Sequence, residues 1–75
     1  MTMTSFDKKF IARLKENYRV GTRVRLIHMD DEHAPPDGTE GTVTDVDDVG
    51  TVFVRWDNGS GLGLIYGVDE FRKVG

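Results

Sequence analysis

A few groups of residues in this 75-residue chain have types and spacings that invite a chemical reading. Asp45, Asp47 and Gly50 match the opening D-x-D-x-x-G of a calcium loop. Such a loop needs an oxygen ligand at its fifth position and a bidentate glutamate at its twelfth. Val49 and Trp56 stand there, so the aspartates read as turn formers whose short carboxylates hold nearby backbone N–H groups. His28 and His33 have no cysteine partner and no helical spacing, which leaves zinc without a ligand set. Gly59-Ser60-Gly61-Leu62-Gly63 resembles a phosphate-cradling glycine turn. Leu64 occupies the place of the third glycine, and no helix follows to aim its N-terminus at a phosphate. Asn58 replaces the glycine that a nucleophile elbow around Ser60 requires, and no base is evident for that serine. The expectation is a chain with no catalytic residues, no metal and no cofactor.

Recognition is the chemistry that remains. Three polar segments carry it: Met29-Asp30-Asp31, the stretch with Asp47 and Asp48, and the stretch with Trp56, Asn58 and Ser60. Tyr66 adds an amphipathic ring. Loops at the ends of small β-folds commonly carry recognition, and a tryptophan offers a wide flat face with one N–H donor. These nine residues are the candidate ligand- or partner-binding set. Trp56 is also in phase with Val52 and Val54, and Tyr66 with Leu62 and Leu64, which suits core positions equally. Asp30 and Asp31 also suit a turn that bonds its own backbone.

The elements that would position these residues follow from periodicity. Phe6, Phe10 and Leu14 recur at i, i+4 and i+8 beside Ile11 and Tyr18. This predicts one helix over about 5–17, capped by Thr4 or Ser5, favoured in its first turn by Asp7 and stopped between Asn17 and Gly21. From Gly21 the period becomes two. Strands are expected at Arg23–His28, Thr42–Val46, Val52–Trp56, Leu62–Tyr66 and Phe71–Val74. A long loop over 30–39, stiffened by Pro35 and Pro36, separates the first two. Asp57-Asn58-Gly59-Ser60 is the clearest hairpin turn, because Asn-Gly tolerates positive φ. Five short strands with frequent turn signals predict a mostly β domain: a small SH3-like five-stranded barrel over about 22–74, preceded by an N-terminal helix, in a single domain spanning 1–75.

Composition sets further bounds. Hydrophobic residues make up 37% and charged residues 31%, which suits a globular domain and is too apolar for a disordered tail. There is no cysteine, no membrane-length apolar run and no signal-peptide core near the N-terminus, so a cytoplasmic location is expected, with no membrane contact. The net charge of −3 conceals an asymmetry. Residues 1–25 hold seven basic against two acidic side chains, and residues 26–75 hold three against eleven. Opposite halves invite pairing within the fold, two-fold pairing of two copies, or capture of an anion by the basic face.

Taken together, four strings resemble the bacterial and phage domain of unknown function 4314. They are Met29-Asp30-Asp31 with Ala34-Pro35-Pro36, Gly38-Thr39, Gly41-Thr42-Val43; Val46-Asp47-Asp48 with Gly50; Trp56-Asp57-Asn58-Gly59-Ser60 with Leu62 and Leu64; and Gly67-Val68-Asp69 with Phe71. The similarity covers about residues 10–74. It implies a small single-domain protein of phages, prophages or conjugative elements, and it carries no catalytic residue with it. The reading that follows is a non-catalytic binding module. Its partner would be a host or phage protein, a second copy in a homodimer, or a small ligand, in the manner of a protein that blocks a host defence factor or sequesters a signal. The alternative is a nucleic-acid-binding accessory protein using the basic helix and first strand, with Phe53 or Tyr66 stacking on a base. The eleven acids of the second part repel phosphate and make nucleic acid the less favoured partner.

Overall fold

The computed structural model describes residues 8–74. Thr4, Ser5, Phe6 and Asp7, expected to open the helix, lie outside the described residues. Helix α1 spans Lys8–Asn17 and buries Ile11 and Leu14. It stops where expected: the Tyr18 N–H still reaches the Leu14 carbonyl at 2.9 Å, and the chain then turns through Gly21. Five strands follow: β1 Arg23–His28, β2 Glu40–Val46, β3 Thr51–Trp56, β4 Leu64–Ile65 and β5 Glu70–Lys73. All ladders are antiparallel, in one sheet of order β4-β3-β2-β1-β5.

The alternation read from the sequence decides which side faces the core. Val24 and Leu26 of β1, Val43 and Val46 of β2, Val52, Val54 and Trp56 of β3, and Leu64 of β4 form one buried cluster with Leu14 and Met29. Each such side chain contributes roughly 1.5–3 kcal/mol by leaving water. Phe10, Tyr18, Ala34, Leu62 and Phe71 pack around it. The opposite side of the sheet carries the arginines of β1 and β3.

One expectation stands in its coarser form, a mostly β sheet of five strands after a helix, and one is corrected. The sheet is open: no ladder joins β4 to β5 among the described residues, and the isolated bridge Tyr66–Asp69 lies within the connection between them. A closed barrel is therefore not what the hydrogen bonding displays. The fourth strand is also far shorter than Leu62–Tyr66. The indole of Trp56 is the reason. Its Nε1–H donates to the Leu62 carbonyl at 2.8 Å, and its backbone N–H donates to Ser60 at 2.8 Å. Residues 57–63 are thus tied to the end of β3 instead of pairing along it.

Gly41 shows how closely these parts approach. A Cβ there would sit 2.5 Å from Val54 Cγ1, 2.8 Å from the Arg55 carbonyl oxygen and 2.9 Å from Trp56 Cε3. Only a residue without a side chain lets β2 lie across the Trp56 ring.

Candidate functional site

Two bulges interrupt the ladders, and each faces a surface cleft. In the β1–β5 pair, Leu26 opposes Phe71 and His28 opposes Glu70, so Ile27 is the extra residue. A bulge re-aims its side chain and sharpens the local twist. Ile27 is left 42% exposed and lines a cleft with Tyr18, Tyr66, Gly67, Asp69, Glu70 and Phe71.

That cleft is assembled from four parts of the chain. Tyr18 follows the last turn of α1, Ile27 comes from β1, Phe71 from β5, and Tyr66 from the β4–β5 connection. Tyr66 meets Phe71 and Phe10 edge-on, with centroids 6.3 and 5.5 Å apart, and Tyr18 and Phe71 are tilted at 5.3 Å. Offset and edge-to-face contacts of this kind are favourable beyond their buried area. The connection bearing Tyr66 is held in place locally. The Val68 and Asp69 N–H groups both donate to the Ile65 carbonyl at 3.0 Å, Asp69 Oδ2 accepts the Ile65 N–H at 2.8 Å, and Gly67 supplies a φ of 89°. Burial, followed by the neighbouring Tyr66, raises the Tyr18 pKa, so its phenol stays a neutral donor at physiological pH. Tyr66 remains 38% exposed in the cleft, and Val68 of the same connection is exposed. The result is an aromatic floor with two carboxylates, Asp69 and Glu70, at its rim. Such a surface can seat an apolar side chain and hold a cationic one beside it.

The second bulge makes Thr44 the extra residue of β2 against β3. Thr44 and Asp45 line a shallower cleft with Phe53, Arg55 and the 59–61 turn. Gly63 lies under Phe53 on this side; a Cβ there would come 2.9 Å from Thr51 Cγ2 and 3.4 Å from Phe53 Cδ1.

The nine residues singled out from the sequence are dispersed between these places. Tyr66 alone lies in the aromatic cleft, and Ser60 lies in the second one. Met29 and Trp56 are buried in the core. Asp30 is exposed. Asp31 Oδ1 accepts the His33 N–H at 2.7 Å, Asn58 Oδ1 accepts the Ser60 N–H at 3.0 Å, and Asp47 Oδ1 accepts from both Val49 and Thr51. These side chains form turns. Asp48 pairs with Lys15 of α1 at 2.9 Å; the hydrogen bond pulls the Asp48 pKa below its ordinary value and raises that of Lys15. Tyr18, Ile27, Asp69, Glu70 and Phe71 are the cleft residues that sequence reasoning did not assign to a site.

The basic residues are divided as well. α1 packs on the side of the sheet that carries Val24 and Leu26, whereas Arg23 and Arg25 leave β1 on the other side. Arg23 forms a two-pronged bond to Asp57, at 2.9 and 2.7 Å, and both Arg23 and Arg25 reach Glu40. Bonding to Arg25 first and Arg23 second holds the Glu40 pKa low, and Arg23 does the same for Asp57. The helix and the first strand do not merge into one basic surface. Among the described residues no group of three His, Asp or Glu side chains is disposed to hold a metal ion, and no helix is long and apolar enough to cross a membrane.

Comparison with known families bears on the whole of this arrangement. The model of the family described as "Domain of unknown function (DUF4314)" matches residues 7–74. The chain belongs to that family. The match takes in α1, both bulges and both clefts, so the helix is part of the family's domain and not an appendage to it. Comparison with curated proteins and with solved structures gives no match.

Proposed function

We propose that this chain is a non-catalytic binding module whose recognition surface is the aromatic cleft between α1, β1 and β5. The observation that carries the reading is the bulge at Ile27. It interrupts an otherwise regular ladder and turns an isoleucine toward Tyr66 instead of leaving it on the arginine-bearing side. The occupant is a segment of a partner protein that presents an apolar residue next to a lysine or arginine. The apolar residue seats between Tyr18, Tyr66 and Phe71, and the cation meets Glu70 and the free oxygen of Asp69. In the phage or mobile-element setting that the resemblance implies, that partner is a host or phage protein. The sheet itself is read as the core of a small SH3-like barrel, a fold analogy on which the binding argument does not rest.

Selection from a random-peptide display library tests this. Wild-type protein is the bait, and the Ile27→Ser variant removes sequences that bind elsewhere. Enriched peptides should pair a basic residue with an adjacent apolar one and should lose affinity for Glu70→Lys. No enrichment over Ile27→Ser, or enrichment of acidic peptides, would refute the reading.

A further inference from the structure

We propose that the outer edge of β5 is a self-pairing strand: two copies of this chain join antiparallel, β5 to β5, about a two-fold axis at Phe71. The sheet ends at β5 on one side, and the ladder fixes which backbone groups are left there. The Val74 N–H donates to the Arg23 carbonyl at 2.9 Å. Arg72, two residues back and opposite Arg25, therefore also turns its N–H and carbonyl toward β1. Phe71 and Lys73 turn theirs the other way, to the edge, where no further strand pairs among the described residues. Such an edge is a template for another strand. The opposite edge of the sheet offers less, because β4 has only two residues.

The charges choose the occupant. Asp69-Glu70-Phe71-Arg72-Lys73 reads as two acids, an aromatic residue and two bases. Laid against a second copy about Phe71, position 70 faces position 72 and position 69 faces position 73, so every charge meets its opposite. Opposite charges across a strand pair stabilise it, and like charges destabilise it. An axis at Glu70 would set Glu70 against Glu70, and an axis at Arg72 would set Arg72 against Arg72. In-register parallel pairing would oppose like charges throughout. Glu70 and Arg72 are also unspent: neither makes an ion pair among the described residues. Arg72 faces Arg25 across the ladder, and Glu40 is bonded to Arg25 at 2.8 Å. A carboxylate on the other side of Arg72 would offset that like-charge neighbour.

The backbone phase agrees with the same axis. Phe71 points its N–H and carbonyl outward, so at the axis it forms a hydrogen-bonded pair with Phe71 of the second copy, and the two residues exchange both bonds. Residues directly opposite share a face of the sheet. The Glu70–Arg72 pairs therefore lie on the exposed face that carries Arg25, and the two Phe71 rings lie side by side on the face toward α1. Lys73 is on that second face as well, its Nζ 5.7 Å from the Tyr18 centroid, so Glu70 and Arg72 carry most of the charge recognition. Two-fold symmetry closes the assembly at two copies. The pairing does not rest on the cleft at Ile27, although a peptide cation at Glu70 and a second copy would compete for the same carboxylate.

Sedimentation of the full chain over a range of concentrations should show the 8.4 kDa chain in equilibrium with its dimer, and salt should weaken the dimer because its ion pairs are exposed. The Phe71 amide should be protected from exchange in the dimer and unprotected in the monomer. Glu70→Arg and Arg72→Glu alter exposed positions of an edge strand. Each alone sets like charges opposite one another and should weaken dimerisation about tenfold. Mixed in equal amounts, the two variants place arginines against glutamates at both pairs and should form a mixed dimer about as tight as wild type. Ile27→Ser should leave dimerisation unchanged, which separates this edge from the peptide cleft. A wild-type monomer at every concentration, a wild-type dimer with an unprotected Phe71 amide, or single variants that fail to combine when mixed would overturn the proposal while leaving the cleft reading intact.

Discussion

Replacing Trp56 by phenylalanine separates two roles that the sequence leaves open for this residue. In the structure the indole is 1% exposed, lies against Gly41, and donates Nε1–H to the Leu62 carbonyl. Phenylalanine keeps most of the ring but cannot donate. A lost hydrogen bond that leaves a buried acceptor unpaired costs about 1–3 kcal/mol, and the lower end applies because Leu62 is half-buried and water can reach part of the gap. Complete removal of a core tryptophan side chain costs about 3–5 kcal/mol, of which the smaller ring forfeits about 1. The sum is about 2 kcal/mol, from a total of about 4–11 for a domain of this length. At 4–8 °C per kcal/mol, Tm should fall by about 10 °C. Thermal unfolding followed by far-ultraviolet circular dichroism measures this without depending on the tryptophan signal. The 57–63 segment should also lose amide protection. If Trp56→Phe melts within about 3 °C of wild type yet loses partner binding, the indole is a recognition surface and its structural role here is mistaken.

Gly41→Ala should be strongly destabilising, by about 1–3 kcal/mol in chemical denaturation, since the new methyl meets Val54, the Arg55 carbonyl and the Trp56 ring; Gly61→Ala, with open space around its Cβ, should stay within about 0.5 kcal/mol of wild type. Stability should fall with acid. The pKa values of Glu40, Asp48 and Asp57 lie below their ordinary values of 4.5, 3.8 and 3.8 when folded, so their contribution is fully present above those values and is lost as pH drops through the lower folded ones. Urea midpoints between pH 7 and about pH 2 should show the decline setting in near pH 4, and Glu40→Gln should flatten it. A profile unchanged by that substitution would contradict the assignment.

The strands were legible wherever one residue in two is apolar. Val24 and Leu26, and Val52, Val54 and Trp56, fall on the core side as their alternation requires. The helix was legible from Ile11 and Leu14. What periodicity could not show is a change of period: a bulge adds one residue, and Ile27 looks like any outward-facing position until its partners across the ladder are known. The fourth strand was misread for a related reason. Leu62 is in phase with Leu64, but the Trp56 indole claims its carbonyl, and that bond joins residues six apart in a way no alternation encodes. The candidate site was mostly hidden. Tyr18 and Phe71 were assigned to a helix stripe and a strand, and only the topology brings them within 5.3 Å. The aspartate-rich segments drew notice for their polarity, yet Asp31 and Asp47 spend that polarity on their own turns.

The most direct measurement of the central claim is a titration of isotope-labelled protein with a peptide enriched in the display selection, followed by nuclear magnetic resonance. Perturbations should be saturable and should cluster at Tyr18, Ile27, Tyr66, Gly67 and Glu70. Ile27→Ser should weaken the affinity about tenfold, because part of an isoleucine, worth about 1.4 kcal/mol, no longer leaves water on binding. Perturbations confined to Phe53, Arg55 and the 59–61 turn, with unchanged affinity in Ile27→Ser, would show that the cleft at the β1 bulge is not where this domain meets its partner.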